Sequence, residues 1–97
     1  MTSKQRAYLV SVAADEATIL HIGKAGVTPP LTENVEEALA ARELIKIGVQ
    51  QNNSEDIRAQ AELLAERTHA EVVKIIGRKI ILYREGEGKH RVIDLPK

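Results

Sequence analysis

The feature that most constrains the fold is an alternation of short apolar runs with longer amphipathic segments. Four runs have strand patterns, namely TILHI (18–22), LIKIGV (44–49), EVVKII (71–76) and KIILYR (79–84). The segments that precede or separate the first three runs carry apolar residues at helical spacing. Gly77 and Arg78 separate the last two runs and predict a hairpin. The predicted order is therefore α-β-α-β-α-β-β, which favours a two-layer α/β fold with a mixed sheet and helices packed on it.

Capping residues predict where three helices begin. Thr2 begins a capping-box spacing, so the first helix is predicted over about residues 3–14. Thr28 is suited to cap the second helix, whose first turn holds two prolines. Ser54 is predicted to cap the third helix, which ends near His69. His69 then stands at a helix end, where the backbone often needs a positive φ.

Composition excludes several classes of protein. The 97 residues suffice for one domain, which we expect to span 1–97. The absence of cysteine excludes disulfides, thiolate metal sites and cysteine nucleophiles. The three histidines lack metal-ligand spacing and no nucleophile motif occurs, so we expect no metal, no cofactor and no enzymatic activity. No run approaches the roughly 20 apolar residues of a membrane span and no signal-peptide pattern opens the chain, so we expect a cytoplasmic protein.

Charge is balanced overall but unevenly distributed along the chain. The 14 basic and 14 acidic residues alone argue against a nucleic-acid-binding protein. However, residues 28–71 carry nine acidic and four basic residues, whereas residues 72–91 carry six basic and two acidic residues. Such segregation suits a face that binds anions. Ordinary solvated helix faces would produce the same pattern, so both interpretations stay open.

The stretch GKAG, residues 23–26, lies where the first strand ends and the second helix approaches. Gly23 and Gly26 would let backbone N–H groups converge on an anion, with Lys24 and Ala25 between them. G-x-x-G is also the form of the loop with which KH domains clamp a nucleic-acid backbone. It does not have the Walker A spacing. A four-residue match is weak, and a plain turn with an exposed lysine is the alternative.

Other cations lie on or beside the predicted strands and on the first helix. They are Lys46, Lys74, Arg78, Lys79 and Arg84 near the strands, and Lys4 and Arg6 on the helix. If the strands are adjacent, some of these side chains would line one surface with the GKAG loop. The alternative is that cations on strands discourage edge pairing. With no Phe, no Trp and two Tyr, no stacking platform is expected, so RNA would be bound through phosphates and shape.

Taken together, several stretches resemble one known family. In the family's order they are KQRAYL (4–9), IGKAGVT (22–28), EALAARELIKI (37–47), LAERTHAEVVKIIGR (64–78), ILYRE (81–85) and IDLPK (93–97). These segments resemble the YhbY-type CRM (chloroplast RNA splicing and ribosome maturation) domain and cover essentially the whole chain. The resemblance implies a four-stranded mixed sheet related to the C-terminal domain of translation initiation factor three.

The same resemblance implies a function and a site. It implies an RNA-binding protein that associates with precursors of the large ribosomal subunit, so we expect ribosomal RNA and the pre-ribosomal particle as partners. The family's GxxG-like loop implies RNA contacts at Gly23, Lys24 and Gly26. The resemblance extends this site to the neighbouring cations Lys46, Arg78 and Arg84. Lys79, Lys4 and Arg6 are further candidates for contact with RNA.

A second hypothesis is a protein-interaction module. Its acidic helices, with Glu33, Glu36 and Glu37 on the second, would dock a basic ribosomal protein or translation factor. The two hypotheses are compatible, and RNA binding ranks first because of the loop and the family resemblance. A monomer is the default expectation.

Overall fold

The computed structural model, which describes residues 1–86 and 93–96, shows three helices and a mixed four-stranded sheet. The elements are α1 Ser3–Ala14, β1 Thr18–Ile22, α2 Pro29–Arg42, β2 Leu44–Val49, α3 Ile57–Thr68, β3 Glu71–Ile76 and β4 Lys79–Tyr83. The strand order is β1-β2-β4-β3. β1 and β2 are parallel, and the other two pairs are antiparallel. The predicted element order, hairpin and mixed sheet are confirmed.

Two of the three predicted helix starts are confirmed, and the third is corrected. Thr2 and Gln5 form the capping box at the start of α1, and Thr28 caps α2. α3 begins later than predicted, because Asp56 rather than Ser54 is its N-cap. The Asp56 carboxylate accepts two backbone N–H groups of the first turn, at 2.8 and 3.2 Å. A charged acceptor also complements the positive end of the helix dipole, which favours Asp56 over the earlier serine.

α3 ends at a residue in the left-handed conformation, as predicted for this position. His69 has φ 55° and ψ 36°. The N–H of the following residue, Ala70, donates to the Ala65 carbonyl at 2.9 Å. This bond belongs to a Schellman-type helix end, which turns the chain sharply into β3.

Helices pack on both faces of the sheet, so the predicted two-layer description is incomplete. α2 and α3 cover one face, where Leu39 and Leu64 join a cluster with alternate residues of β2 and β4. α1 covers part of the other face, where Leu9 and Ala13 cluster with Leu44, Val73, Ile81 and Tyr83. Because Leu44 begins β2 and Tyr83 ends β4, α1 lies toward that end of the sheet. Toward the opposite end of the same face, His21, Lys74 and Lys79 are exposed.

A buried carboxylate connects the sheet to the C-terminal segment. Glu43, between α2 and β2, has 0% exposure and φ 64°. Its Oε2 accepts the Gly86 N–H at 2.5 Å and its Oε1 accepts the Ile93 N–H at 2.7 Å. Ile93 and Leu95 then pack against the cluster beneath α1. One side chain therefore holds both described parts of the C-terminal segment against the fold.

Replacing Glu43 with Ala is expected to lower the free energy of unfolding by about 2–4 kcal/mol, because bonds to a charged acceptor are lost and buried N–H groups are left without it. Urea unfolding measures this change. Glu37→Ala, at an exposed glutamate of α2, is the control and should shift stability by less than about 0.5 kcal/mol. Equal stability of Glu43→Ala and the wild type would show that the carboxylate does not hold this segment.

Candidate nucleic-acid interface

Three connections meet at one end of the sheet. The GKAG loop follows β1, residues 50–56 follow β2, and a turn at Gly77 and Arg78 joins β3 to β4. β1 runs parallel to β2, and β4 begins opposite the end of β2, so these connections lie at the same end of the sheet. The N–H of Gln50 donates to a β1 carbonyl at 2.9 Å, and the carbonyl of Arg78 accepts a bond from the end of β2 at 2.8 Å. The two basic turns of the sequence therefore lie at the same end of the fold.

The GKAG loop is a tight turn fixed by its neighbours. The Gly26 N–H donates to the Gly23 carbonyl at 3.0 Å, which also accepts Asn53 Nδ2 at 2.8 Å. Gly26 has φ 75°, and a Cβ there would lie 2.5 Å from Glu55 Oε2. The backbone angle and the nearby carboxylate both favour glycine at this position. The loop thus has structural reasons for its sequence, whether or not it binds an anion.

The start of α2 offers few free N–H groups to an anion. Its first two residues are prolines, which have no N–H. The next two N–H groups, those of Leu31 and Thr32, are bonded to Thr28 at 3.2 and 2.9 Å. The bonds that cap the start of α2 therefore occupy backbone N–H groups of the kind that bind phosphate at other helix ends. What faces solvent at the loop is its tip, Lys24 and Ala25.

Arg78 holds the segment that supports the loop. Its Nε donates to the Val49 carbonyl at 3.0 Å, and its Nη2 donates to the carbonyls of Gln50 and Asn53 at 2.6 and 2.8 Å. Asn53 in turn exchanges side-chain bonds with Gln60 of α3, at 2.9 and 3.1 Å. The guanidinium is thus directed at protein carbonyls, and the structure gives Arg78 a positioning role. Its predicted contact with RNA stays a prediction.

Three other predicted contact residues lie at the opposite end of the sheet from the GKAG loop. Arg84, just after β4, forms an ion pair with Glu36 of α2 at 2.6 Å. Arg6 of α1 donates to two carbonyls of β3 at 2.8 and 2.6 Å. Lys4 is exposed near the start of α1. The structure therefore does not bring these cations together with the loop.

Three lysines do share the uncovered part of the sheet face. Lys46 of β2 and Lys74 of β3 both pair with Ile81 of β4, one from each side. Ile81 faces α1, so these lysines stand on the same face. Lys79 stands there too, two residues along β4 from Ile81. Within the described residues, none of these lysines nor Lys24 forms a salt bridge. Lys89 and Arg91, which contribute to the basic segment of the sequence, lie outside the described residues.

His21 and Gly48 were not singled out from the sequence. A Cβ on Gly48 would lie 3.1 Å from Lys79 Nζ, 3.1 Å from His21 Cδ2 and 3.2 Å from Thr18 Cγ2. Strict alternation along β1 would place Thr18 and His21 on opposite faces. A register shift between Thr18 and Leu20 places them on the same face. Because such an irregularity leaves no clear sequence pattern, this neighbourhood could not be predicted.

The two sides of the GKAG loop differ in charge. On the α3 side, Ala25 borders a shallow cavity that is also lined by Glu55 and Asp56. On the sheet side, His21 lies two residues before the loop, and His21 and Lys79 both pair with Gly48 at this end of the sheet. An anion would therefore be favoured on the sheet side and opposed on the α3 side.

Residues 1–86 and 93–96 contain neither a metal-binding cluster nor a membrane-spanning helix. No group of three or more His, Asp and Glu side chains in this part could hold a metal ion. None of the described helices combines the length and the apolar character needed to cross a membrane.

Known proteins are similar to this chain in sequence and, for one solved structure, in fold. A family model for the CRS1/YhbY (CRM) domain matches residues 1–84. The chain is 40% identical over 96 residues to the "Probable RNA-binding protein YqeI" of Bacillus subtilis, with 99% of each chain covered. It is 29% identical over 97 residues to an "RNA-binding protein" of Haemophilus influenzae, covering 100% of this chain and 96% of that protein. The solution structure of a hypothetical Staphylococcus aureus protein, described as a candidate RNA-binding protein, is similar at a TM-score of 0.83 and 41% identity, with 99% of each chain covered.

Arg78→Lys is expected to lower the free energy of unfolding by about 2 kcal/mol. Lysine keeps the charge, but its single ammonium cannot reproduce the planar guanidinium's bonds to the β2–α3 segment. Urea unfolding measures the change, with Lys79→Ala on the adjacent exposed side chain as control, expected to shift by less than about 0.5 kcal/mol. Wild-type stability in Arg78→Lys, combined with weaker RNA binding, would instead indicate a direct contact with RNA.

Proposed function

This chain belongs to the CRS1/YhbY (CRM) domain family, and from that premise we propose that it binds RNA and associates with precursors of the large ribosomal subunit. Membership confirms the resemblance noted in the sequence. RNA binding is supported by relatives in three bacterial species that are named or described as RNA-binding proteins. The association with large-subunit precursors follows from what the family resemblance implies.

The observation that carries the RNA-binding proposal is the position of Lys24. Its ammonium stands at the exposed tip of a loop whose backbone is fixed by Asn53. Lys79 lies at the same end of the sheet. It pairs with Gly48 of β2, and Lys46 lies two residues before Gly48 on that strand. A fixed loop presents its charge without a large cost in loop ordering, which favours binding.

The proposed mechanism is contact with the phosphate backbone. Lys24 and the neighbouring lysines each bind a phosphate, and the N–H groups at the loop tip add contacts where they reach the same oxygen atoms. Arg78 acts indirectly, because its guanidinium holds the segment that fixes the loop. Lysine–phosphate contacts release counterions, so the affinity should fall steeply with salt and depend little on base sequence.

The first test is a salt titration of binding to a fragment of large-subunit ribosomal RNA. We expect Lys24→Ala to weaken binding and to reduce the slope of log K against log salt by roughly 0.7–0.9, which corresponds to one lost phosphate contact. The thermal stability should stay at the wild-type value, because Lys24 is exposed.

Arg67→Ala is the matched control for this titration. It removes one exposed positive charge from α3, on the opposite side of the sheet, and should leave the slope unchanged. A wild-type slope in Lys24→Ala would remove the loop from the RNA site. A wild-type protein that fails to bind RNA at low salt would overturn the proposed function itself.

The second candidate function is docking of a basic protein partner on the helical face. The observation that favours it is a set of exposed carboxylates on α2 and α3, comprising Glu33, Glu37 and Glu66. Glu36 and Glu62 are excluded from this set because their carboxylates are paired with Arg84 and Arg58. These charges lie on the opposite side of the sheet from the exposed lysines, so both functions could operate in one assembly.

Charge reversal separates this candidate from RNA binding. If the helical face docks a partner, Glu33→Lys with Glu37→Lys should abolish co-sedimentation with large-subunit precursors while binding to free RNA survives. Glu36 is left intact in this variant so that its ion pair with Arg84 is preserved. Co-sedimentation at the wild-type level would exclude this surface as the docking site.

A further inference from the structure

The part of the sheet face not covered by α1 has the features of a second contact surface. We define the open sheet face by the side chains that stand on it toward the GKAG end, which are Thr18, His21, Lys46, Lys74 and Lys79, with Gly48 at its floor. Lys74 and Ile76 belong to the edge strand β3, and Ile76 is 49% exposed. The surface therefore extends from the loop across all four strands.

The lysines of this face are spread in two dimensions. Lys46 and Lys74 lie on strands that flank β4, so their Cα atoms are about 10 Å apart across the sheet. Lys79 lies on β4 itself, about 7 Å along the strand from the residue between them. These three charges are not arranged along one line. In a single-strand-binding protein, by contrast, the positive charges follow one groove along the backbone of the strand.

The floor of the face is shaped by a glycine. Lys79 Nζ and His21 Cδ2 each lie 3.1 Å from the place that a Cβ on Gly48 would take. A side chain at this position would displace the lysine or the imidazole. Gly48 thus lets both side chains lie close to the sheet and keeps the surface shallow enough for a broad ligand.

The charge of the face is uniform among the described residues. The four strands contain one acidic residue, Glu71, and it is paired with Arg6 at the other end of the sheet. Glu55 and Asp56 lie on the α3 side of the GKAG loop, away from the sheet face. A polyanion would therefore be attracted to the open sheet face and guided to approach Lys24 from that side.

Among residues 1–86 and 93–96, the face lacks the aromatic groups that stack on unpaired bases. Both tyrosines of the chain lie elsewhere, because Tyr8 is on α1 and Tyr83 is buried beneath it. His21 alone does not make a stacking platform of the kind that single-strand-binding sheets use. Base-paired RNA hides its base faces and is recognised through its phosphates, 2′-hydroxyls and shape.

We propose that the open sheet face docks a base-paired segment of RNA, with phosphates on Lys46, Lys74 and Lys79 and the backbone continuing to Lys24. This inference rests on the proposed RNA-binding function and specifies its substrate class and contact surface. The docked segment lies across the sheet. The site ends at the GKAG loop, because Glu55 and Asp56 on the α3 side of the loop would repel the RNA.

The test compares a base-paired RNA hairpin with an unstructured single strand of equal length. Binding of both is titrated with salt for the wild type, Lys24→Ala and the double variant Lys46→Ala/Lys74→Ala. For the hairpin, the double variant should lose roughly 1.4–1.8 units of salt slope and on the order of tenfold or more in affinity at 0.1 M salt. Its affinity for the single strand should change by less than about threefold, because those lysines are spaced for a wider ligand.

Two controls identify the cause of any loss. Lys46→Arg/Lys74→Arg keeps both charges and should therefore keep the wild-type salt slope. If the loss in the alanine variant came from altered folding rather than from lost charge, restoring the charge with arginine would not restore the slope. Arg58→Ala/Arg67→Ala removes two exposed charges from α3 and should leave hairpin binding unchanged.

Three outcomes would overturn the inference while Lys24→Ala still weakens binding and the proposed function stands. In the first outcome, the double variant binds the hairpin with the affinity and salt slope of the wild type. The strand lysines would then serve only to discourage edge pairing. Another is equal loss for hairpin and single strand, which would refute the base-paired substrate. The last is equal competition by polyglutamate, which would assign the face to an acidic protein. A wild type that binds neither RNA would instead refute the proposed function.

Discussion

The bonds of Arg78 are the constraint on which the functional end of the molecule depends. Its guanidinium fixes the backbone after β2, and Asn53 in that segment holds both the GKAG loop and the start of α3. Asn53 and Gln60 are 2% and 5% exposed, so this network is shielded from competing water. One side chain thereby relates three connections that are distant in sequence. Without it, Lys24 would keep its charge but lose its fixed position relative to the lysines on the sheet.

The zero net charge of the chain conceals a strong polarity. Exposed lysines gather on one face and at the GKAG loop, whereas exposed carboxylates gather on α2 and α3. The potential at a surface depends on nearby charges, because ions screen charges beyond about 8–10 Å. A phosphate near Lys79 therefore interacts mainly with the sheet lysines and little with Glu62 or Glu66. Net charge was consequently a poor guide to the ligand of this protein, and the distribution along the sequence was a better one.

Local patterns in the sequence predicted the elements, while features that depend on tertiary pairing escaped prediction. The capping box at Thr2, the cap at Thr28 and the left-handed end at His69 each depend on a few neighbouring residues, so they were found. The cap of α3 was misplaced by two residues, because serine and aspartate compete at the same start. The positioning role of Arg78 depends on carbonyls some 25–29 residues away. The grouping of His21 with the lysines depends on a register shift in β1. Neither could be deduced before the strands were paired.

The two glycines of GKAG illustrate why a motif is weaker evidence than a site. The positive φ of Gly26 and the nearby carboxylate of Glu55 both require glycine at this position. The same glycine would therefore be needed in a loop that binds no ligand. The prolines that follow remove two N–H groups from the start of α2, so this loop lacks part of the donor set that makes helix ends good phosphate sites. Phosphate binding here must then depend on ammonium groups more than on backbone donors. Since ammonium groups are mobile point charges, they suit a ligand recognised by the spacing of its phosphates. The open sheet face beside the loop supplies such spacing, and the loop alone does not.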